Sequence, residues 1–379
     1  MPRMSAPGAE SLSARLTERL RTAIAAEGGW LGFDRFMAQA LYAPGLGYYT
    51  RGTPVFGAMP ALGAGGAEAG SDFVTAPELS PYFGRTLARQ VVQALQATAT
   101  HEVLEFGAGS GALAEQLLEA LGSAVQRYTI VDVSGTLQAR QAERLARFAP
   151  RVQWLSAWPA TIEAVVVGNE VLDAMPVQLL HFDGRQWQER GVALEGGKLA
   201  WADRPTALRP PGEHGFVPGT VTEIHPQAEA FIRSLAERLQ RGAAFFIDYG
   251  FPEAEYYHPQ RTGGTLMCHR AHRSDAEPLL DVGSKDITAH VNFSAIALAG
   301  QDAGLQVLGY TSQARFLLNC GLLELLQGAD IRAKAMAQKL ITEHEMGELF
   351  KVLGFVKGPD VGADFGAIGF AAGDRSHTL

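Results

Sequence analysis

The chain has 379 residues, the length of one large domain or of two to three domains at the usual size of roughly 150 residues each. Hydrophobic residues make up 47% and charged residues 19%, and the mean hydropathy is +0.00, which excludes a disordered chain. A formal net charge of −8 disfavours binding to phosphate backbones, so we predict no nucleic-acid partner.

Cysteine content and the N-terminal segment indicate the compartment. Cys268 and Cys320 are the only cysteines, which rules out a disulfide framework and suits a reducing compartment. No apolar run approaches the ~18 residues of a membrane span, and no signal peptide is recognisable. Arginines near the N-terminus suggest a mitochondrial transit peptide, but Glu10, Glu18 and Glu27 interrupt that pattern and favour an amphipathic helix. We therefore expect a cytoplasmic bacterial protein rather than one of the mitochondrial matrix.

The first hundred residues are predicted to be mainly helical. Apolar residues recur at every fourth position over 11–26, as on one face of a helix. A second helix is predicted over Phe33–Leu41, and the Gly/Ala-rich stretch Met59–Gly70 is interpreted as a loop. A third helix is predicted over Ser80–Leu95, with Ser80 as its N-cap.

From residue 102 onward, short apolar strands alternate with helical segments, which is typical of a doubly wound parallel sheet. The predicted strands are Glu102–Phe106, Tyr128–Val131, Val152–Leu155, Ala164–Val167, Ala243–Ile247, Gln306–Thr311 and Phe350–Val356. The predicted helices are Ala112–Leu121, Gly135–Phe148, Pro226–Gln240, Ser294–Ala303 and several within Leu317–His344. This pattern predicts an α/β fold with one seven-stranded core.

Two regions interrupt the alternation and are predicted to be insertions. Asp183-Gly184 and Gly196-Gly197 are typical of antiparallel hairpin turns, and Pro210–Gly219 is interpreted as a linker. The long polar stretch Phe251–Asn292 is expected to be functional or to contain further structure. We predict an N-terminal helical region and lid over 1–100, and a core over 101–379 with insertions at about 179–219 and 251–292.

A glycine-rich turn is the strongest local signal. Glu105 lies near the end of the first predicted strand, and Gly107, Gly109 and Gly111 follow at a spacing of two before a helix. Glycine permits positive φ and close approach of a ligand to the backbone. A dinucleotide-binding turn has its third glycine three positions after the second, so this spacing does not indicate a pyrophosphate. The pattern resembles the first motif of class I S-adenosylmethionine methyltransferases, where the turn faces the methionyl part of the cofactor.

Asp132 ends the second predicted strand, 21 residues after Gly111, where a carboxylate can accept hydrogen bonds from ribose hydroxyls. An acid at this position also serves NAD, so Asp132 indicates a nucleoside without identifying it. The structural alternative is a turn that only packs a helix on a strand, and the strand, helix and acid together favour a cofactor. The glycine spacing disfavours an NAD-linked oxidoreductase.

Asn169, Glu170 and Asp173 follow the fourth predicted strand, and active-site groups of open α/β sheets gather at the carboxyl ends of strands. Two neighbouring acids can grip a guanidinium through bidentate hydrogen bonds and keep a nitrogen nucleophile deprotonated. Positioning and electrostatics would then supply most of the rate of methyl transfer. The alternative is that Asn169 and Asp173 cap a following helix.

Further candidates lie on the later strands. Asp248 and Tyr249 end the fifth strand on the same rim, while Asp286, Thr288 and His290 alternate along an extended segment. His290 is a candidate base, with a hydrogen-bonded structural histidine as the alternative. Cys268, His269 and His272 suggest zinc binding, but a zinc site needs three or four ligands and no second Cys/His cluster lies at the usual spacing. We predict no metal site.

Longer segments together resemble the MidA-like family of methyltransferases, which comprises the mitochondrial complex I assembly factor and its bacterial relatives. The matching segments are 42–49, 72–80, 105–111, 169–176, 248–250, 286–293 and 346–352. The element Asn-Glu-x-x-Asp-Ala-x-Pro at 169–176 is specific to the family. Asn292 departs from it, because an aspartate is expected at that position.

The resemblance implies a class I methyltransferase fold with a Rossmann-like, mostly parallel sheet, S-adenosyl-L-methionine as cofactor, and a homodimer. The mitochondrial member dimethylates an arginine on a complex I core subunit, which is compatible with Glu170 and Asp173 holding a guanidinium. We therefore expect a protein arginine methyltransferase whose substrate is a protein, such as a respiratory-complex subunit. The alternative is a non-catalytic assembly factor that binds S-adenosylmethionine as a structural ligand.

The candidate site residues have expected roles in cofactor binding, in catalysis or in a lid. The residues expected to bind the cofactor are Glu105, Gly107, Gly109, Gly111, Asp132 and Glu78. The residues expected to act in catalysis are Glu170, Asp173, Asn169 and His290. Glu78 and Tyr49 are in addition candidates for a lid over the site.

Overall fold

The computed structural model describes residues 11–50, 74–132, 134–212, 215–270, 273–358, 361 and 365–379. The chain divides into two units. The first unit takes the described residues of Met1–Thr53, Pro176–Ile224 and Thr262–Ala289, and the second unit takes those of Pro54–Met175, His225–Arg261 and His290–Leu379. The loop predicted at Met59–Gly70 lies outside the described residues, and the functional division predicted at residue 100 stays a prediction.

Helices and strands alternate along most of the described chain. The helices are α1 (Leu12–Ala26), α2 (Phe33–Tyr42), α3 (Ala76–Leu79), α4 (Pro81–Thr98), α5 (Ala112–Leu121), α6 (Gly135–Arg144), α7 (Pro226–Arg238), α8 (Glu253–Tyr256), α9 (Phe293–Asp302), α10 (Gln313–Asn319), α11 (Leu322–Leu325) and α12 (Ile331–Lys339). The strands are β1 (Trp30–Gly32), β2 (Glu102–Phe106), β3 (Arg127–Val131), β4 (Val152–Leu155), β5 (Ile162–Asn169), β6 (Gln178–Phe182), β7 (Trp187–Glu195), β8 (Lys198–Pro205), β9 (Val221–Ile224), β10 (Leu239–Phe251), β11 (Met267–Arg270), β12 (Arg273–Asp275), β13 (Asp286–Thr288), β14 (Val291–Asn292), β15 (Gln306–Ser312) and β16 (Phe350–Lys357).

The first unit contains an antiparallel sheet in which β7 pairs with β1, β6 and β8, and β9 pairs with β6. Both predicted hairpin turns are confirmed. Gly184 stands between β6 and β7 with φ +96°, and Gly196 and Gly197 stand between β7 and β8 with φ +56° and +78°. Only glycine adopts these positive φ values without strain, which is why the turns were visible in the sequence.

The polar stretch Phe251–Asn292 contains regular structure, as the sequence left open. It holds α8 and a small antiparallel sheet in the order β12-β11-β13. Asn292, the position that departs from the family pattern, is the N-cap of α9, where its Oδ1 accepts a hydrogen bond from the N–H of Ala295 at 3.2 Å. Asparagine and aspartate cap helices about equally well, so the exchange preserves this local role.

The second unit contains the central sheet, in the order β15-β16-β10-β5-β2-β3-β4. The five strands from β4 to β10 are parallel, β16 is antiparallel to both of its neighbours, and the short β14 pairs with the end of β10. The predicted α/β class with a mostly parallel sheet is confirmed.

β10 begins at Leu239, earlier than the predicted start at Ala243, because α7 ends at Arg238 and the chain enters the sheet at once. The register shifts between Leu239 and Arg241, and Gly242 follows with φ +151°. A Cβ at Gly242 would lie 1.9 Å from the carbonyl oxygen of Ala164, so only glycine fits this close approach of two strands.

Apolar side chains cover both faces of the parallel sheet, as helices on both sides require. Alternate residues of β10 point to opposite faces. Phe245 packs with residues of α4, α5 and α10 in one buried cluster, and Phe246 packs with residues of α7 and α9 in the other. The near-continuous hydrophobic sequence of these strands follows from this double burial.

The order of the central strands positions the candidate site. β5 lies between β2 and β10, with Phe106 opposite Gly168 and Ile247 opposite Asn169. Because the three strands are parallel, the chain leaves their carboxyl ends at the same edge of the sheet. The glycine turn after β2, the segment after β5 and the last residues of β10 therefore meet there.

Candidate active site

The glycine turn between β2 and α5 adopts the backbone that its sequence predicted. Gly107, Gly109 and Gly111 have φ +63°, +53° and +81°. These left-handed values strain any residue with a Cβ, so the positive φ predicted from the glycine spacing is confirmed. A Cβ at Gly107 would lie 3.1 Å from Val171 Cγ2, which places the turn against the segment that follows β5.

Asp132 follows β3 and is only 8% exposed. Its Oδ1 accepts a hydrogen bond from the N–H of Ser134 at 2.8 Å, and its Oδ2 accepts one from Gln141 Nε2 at 2.9 Å. Burial raises the pKa of Asp132 above its usual range, and these two hydrogen bonds oppose the rise. A carboxylate has about four acceptor sites, so both oxygens retain capacity for ribose hydroxyls.

Gln141 on α6 was missed by the sequence reasoning. It is fully buried, and its Nε2 donates to the carbonyl oxygen of Gly109 as well as to Asp132, both at 2.9 Å. Its Oε1 accepts a hydrogen bond from Trp154 Nε1 at 3.0 Å. A glutamine in a polar helix belongs to no motif of characteristic spacing, so it could not be recognised as a site residue from the sequence.

Glu78 on α3 contacts the glycine turn through Ser110. The Ser110 hydroxyl donates to Glu78 Oε1, and Arg144 Nη1 donates to the same oxygen at 3.3 Å and to Ser110 Oγ at 2.7 Å. The structure thus brings Glu78 to the cofactor turn, and its role in binding stays a prediction. Tyr49 belongs to the first unit, where its hydroxyl donates to Asp286 at 2.9 Å.

Glu105 lies inside the sheet, 2% exposed, and accepts a hydrogen bond from the Tyr128 hydroxyl at 2.6 Å. Burial raises the pKa of Glu105 to about 8, the hydrogen bond from Tyr128 opposes the rise, and the charge of Asp132 adds to it. This hydrogen bond links the side chains of β2 and β3 inside the sheet. The cofactor contact predicted for Glu105 stays a prediction.

The backbone after β5 is held by Asp248. Asp248 Oδ2 accepts hydrogen bonds from the N–H groups of Val171, Leu172 and Asp173 at 3.2, 2.9 and 3.2 Å. Glu170 precedes them with φ +53°, a left-handed conformation that costs a residue with a side chain about 1–2 kcal/mol. Burial, followed by the charges of Asp173 and Glu170, raises the pKa of Asp248 well above its usual range.

The capping alternative for Asn169 and Asp173 is wrong. The residues after Glu170 form a turn, closed by a hydrogen bond from the N–H of Met175 to the carbonyl oxygen of Leu172 at 3.2 Å, and no helix follows in this segment. The three N–H groups that a helix N-terminus would offer are instead bound by Asp248. Asn169 and Asp173 are therefore free of the structural role that competed with a catalytic one.

The side chains of this segment leave acceptor atoms without donors. Asn169 Nδ2 donates to Glu170 Oε1 at 2.9 Å, and the Tyr249 hydroxyl donates to Asp173 Oδ2. Asn169 Oδ1 and Asp173 Oδ1 are buried and have no hydrogen-bond partner among the described residues. Burial raises the pKa of Asp173 to about 6, and hydrogen bonds from Tyr249 and from the backbone N–H groups of Ala174 and Asp173 oppose the rise. Perturbed carboxylates with unused acceptor capacity are typical of functional sites.

His290 packs against Tyr249 and Phe251 through aromatic contacts. Its ring centroid lies 5.1 Å from that of Tyr249, edge to face, and 5.3 Å from that of Phe251, stacked. The structure therefore places His290 one ring away from the hydrogen bond between Tyr249 and Asp173, and its role as a base stays a prediction. Asp286 and Thr288 lie in β13, in the first unit.

Within the described ranges, no group of three or more His, Cys, Asp or Glu side chains is arranged to hold a metal ion, and His272 lies outside those ranges. No helix in the described part of the chain is long and apolar enough to cross a membrane.

Comparison with known proteins decides the family. The model of a family of S-adenosyl-L-methionine-dependent methyltransferases matches residues 86–311, more than half of the chain. The chain belongs to this family. A crystal structure of a Burkholderia thailandensis protein bound to S-adenosyl-homocysteine is 51% identical, with a TM-score of 0.91 and 100% of both chains covered. The resemblance to the MidA-like family is thereby confirmed.

Curated relatives match over most of their length. The mitochondrial protein arginine methyltransferase NDUFAF7 of Danio rerio is 27% identical over 389 residues, which covers 90% of this chain and 86% of the relative. The human protein of the same name is 27% identical over 345 residues, covering 80% of this chain and 71% of the relative.

The protein is an S-adenosylmethionine-dependent methyltransferase, and S-adenosyl-L-methionine is its cofactor. The residues present fit this group. The glycine turn offers backbone without side chains at positive φ, and Asp132 offers acceptors for hydroxyls beside it. When bound, the cofactor supplies an electrophilic methyl group on a sulfonium sulfur. The chain itself must hold the acceptor atom that receives this methyl group.

Proposed function

We propose that this methyltransferase modifies arginine side chains of a protein, and that Asp173 receives the guanidinium. The observation that carries the proposal is the state of Asp173. The residue is 5% exposed, the pKa of its carboxyl group is raised to about 6, and its Oδ1 has no partner among the described residues. At neutral pH it is ionised, and a planar cation with several N–H donors matches such an acceptor.

Glu170 and Asn169 extend this acceptor surface. Glu170 carries a second carboxylate in the same segment, and Asn169 Oδ1 is a further buried acceptor without a partner in the described structure. Carboxylates on neighbouring residues bind a guanidinium through parallel hydrogen bonds and so fix the direction of the attacking nitrogen. Asp173 then accepts the proton that this nitrogen loses on methylation, since its pKa lies near the working pH.

The relatives support the choice of arginine, because both curated relatives described above are named protein arginine methyltransferases. The sequence-based expectations about partners extend the proposal. They give a protein substrate such as a respiratory-complex subunit, a homodimer, and a cytoplasmic location. Size-exclusion chromatography with light scattering and cell fractionation test the last two.

The proposal is tested by methyl transfer from tritiated S-adenosylmethionine into proteins of a cell lysate, followed by mass spectrometry of the labelled band. We expect label on arginine, and its loss in Asp173→Asn and Glu170→Gln while both variants still bind S-adenosyl-homocysteine in calorimetry. Label on another residue type overturns the arginine assignment. An absence of label with intact cofactor binding instead favours the non-catalytic assembly factor.

A further inference from the structure

We propose that Gln141 is a positioning residue for the cofactor, because one amide group fixes the glycine turn and Asp132 relative to each other. Gln141 is 0% exposed. Its Nε2 donates to the carbonyl oxygen of Gly109 and to Asp132 Oδ2, both at 2.9 Å. The two elements that a nucleoside cofactor must contact together, the turn and the ribose acid, are thus joined by a single side chain.

The chemistry of the three contacts requires an amide. On one side Gln141 faces two acceptors, a carbonyl oxygen and a carboxylate, and its NH₂ group donates one hydrogen bond to each. On the other side the indole N–H of Trp154 donates to Oε1 at 3.0 Å. Because the indole nitrogen can only donate, the reversed amide would lose every contact, so Trp154 fixes the orientation.

The consequence for Asp132 is a fixed carboxylate plane. The N–H of Ser134 holds Oδ1 at 2.8 Å while Gln141 holds Oδ2, so neither oxygen can rotate away. The remaining acceptor sites then point in set directions before any ligand arrives. A site ordered in advance loses less conformational freedom on binding, which increases affinity.

The consequence for the turn is a fixed carbonyl at Gly109, whose φ of +53° is left-handed. α6 also contacts the turn at Gly111, since a Cβ there would lie 3.5 Å from Gln141 Cγ. Both contacts hold the glycine turn against the helix that carries Gln141. This role rests on Asp132 as the ribose acceptor and is independent of the arginine substrate.

The experiment measures S-adenosyl-homocysteine affinity by calorimetry in Gln141→Met, which keeps the length of the side chain and removes its donors. We expect affinity to fall about 10- to 100-fold, the loss expected when a buried carboxylate loses a hydrogen bond. Gln138→Met is the matched control. Gln138 lies one turn earlier on α6 and donates to the backbone carbonyl of Asp132 at 2.6 Å rather than to its carboxylate, so a change below about 3-fold is expected.

A second ligand separates positioning from general loss of structure. An analogue of S-adenosyl-homocysteine without ribose hydroxyls should bind the wild type more weakly, and this ratio should shrink in Gln141→Met. Gln141→Glu should gain affinity as the pH is lowered, because one of two facing carboxyl groups then carries a proton. Gln138→Glu should not.

Three results overturn the proposal. The first is a Gln141→Met variant that binds S-adenosyl-homocysteine within 3-fold of wild type. The second is a lower melting temperature with an unchanged ratio between the two ligands, which would give Gln141 a merely structural role. The third is undiminished affinity in Asp132→Ala, which removes the ribose acceptor on which the positioning depends and leaves the arginine proposal untouched.

Discussion

The glycine turn with Asp132 and the segment 169–173 lie at one edge of the same sheet. They differ in how many of their buried polar atoms have hydrogen-bond partners within the protein. Around the turn, both oxygens of Asp132 and both ends of the Gln141 amide have partners. In the segment, Asn169 Oδ1 and Asp173 Oδ1 are buried without a partner among the described residues. Folding gives each of these atoms beside the turn a partner within the protein, and it leaves two buried acceptor atoms of the segment 169–173 without one.

The unpaired acceptors and the strained backbone of the segment 169–173 cost free energy of folding. A buried acceptor without a donor costs about 1–3 kcal/mol, and the left-handed backbone of Glu170 adds about 1–2 kcal/mol. Asp248 offsets part of this cost by accepting three successive N–H groups. Backbone strain together with unused buried acceptors is typical of ligand-binding and catalytic sites.

The largest expected effect comes from removing the carboxylate of Asp173 in the segment 169–173. Asp173→Asn should reduce methyl transfer about 10²- to 10⁴-fold, the usual contribution of a positioned acid or base, because the amide neither attracts a cation nor accepts its proton. Affinity for S-adenosyl-homocysteine should stay within about two-fold, since the glycine turn and Asp132 are unchanged. Single-turnover kinetics measure the rate of methyl transfer, and calorimetry measures the affinity. Asp302→Asn, at the exposed end of α9, is the control, and full turnover in Asp173→Asn excludes this acid from the mechanism.

The second prediction concerns Asp132, beside the glycine turn. Asp132→Ala should weaken S-adenosyl-homocysteine binding about 10- to 100-fold, because it removes a charged acceptor and leaves the buried amide of Gln141 short of one. At saturating cofactor, methyl transfer should recover most of its rate, in contrast to Asp173→Asn. Calorimetry together with turnover at rising cofactor concentration checks this split. A rate that stays low at saturation contradicts the division of labour between the two sides.

A smaller effect is expected from Tyr249→Phe, which removes the hydroxyl that donates to Asp173. That bond favours the ionised carboxylate and holds the pKa of Asp173 at about 6, so its loss should raise the pKa by about one unit. Activity that needs the carboxylate is lost as the pH falls through this pKa. The acid limb of the kcat profile should therefore move to higher pH, while the rate at high pH changes little. A profile identical to wild type separates Tyr249 from the titration.

The sequence predicted the glycine turn and Asp132 better than it predicted the segment 169–173. Gly107, Gly109, Gly111 and Asp132 could be found because each has a local reason, a positive φ or a strand end, that spacing reveals. Gln141 could not be found, because its partners come from three separate segments that only the folded sheet brings together.

On the other side, the sequence identified the residues Asn169, Glu170 and Asp173 but not their environment. It offered helix capping as an alternative because polar residues after a strand often precede a helix. The capping N–H groups were instead taken by Asp248, a residue from the next strand of the sheet. Contacts between neighbouring strands depend on sheet order, and sheet order is not a local property of the chain.

The smallest expected effect tests whether the two sides are physically joined at Gly107. Gly107→Ala should cost about 1–2 kcal/mol of stability, because φ is +63° and the new Cβ would lie 3.1 Å from Val171 Cγ2. A shift there should reduce cofactor affinity and methyl transfer together, unlike any change above. Thermal unfolding, calorimetry and turnover measure stability, cofactor affinity and methyl transfer.

In Gly107→Ala/Val171→Ala the contact is relieved and the backbone strain remains, so the share of activity that returns measures the coupling through Val171. Gly135→Ala, with open space around it, is the control and should leave all three unchanged or slightly raise stability. Loss of affinity with full turnover at saturating cofactor would show that the turn and the segment act independently.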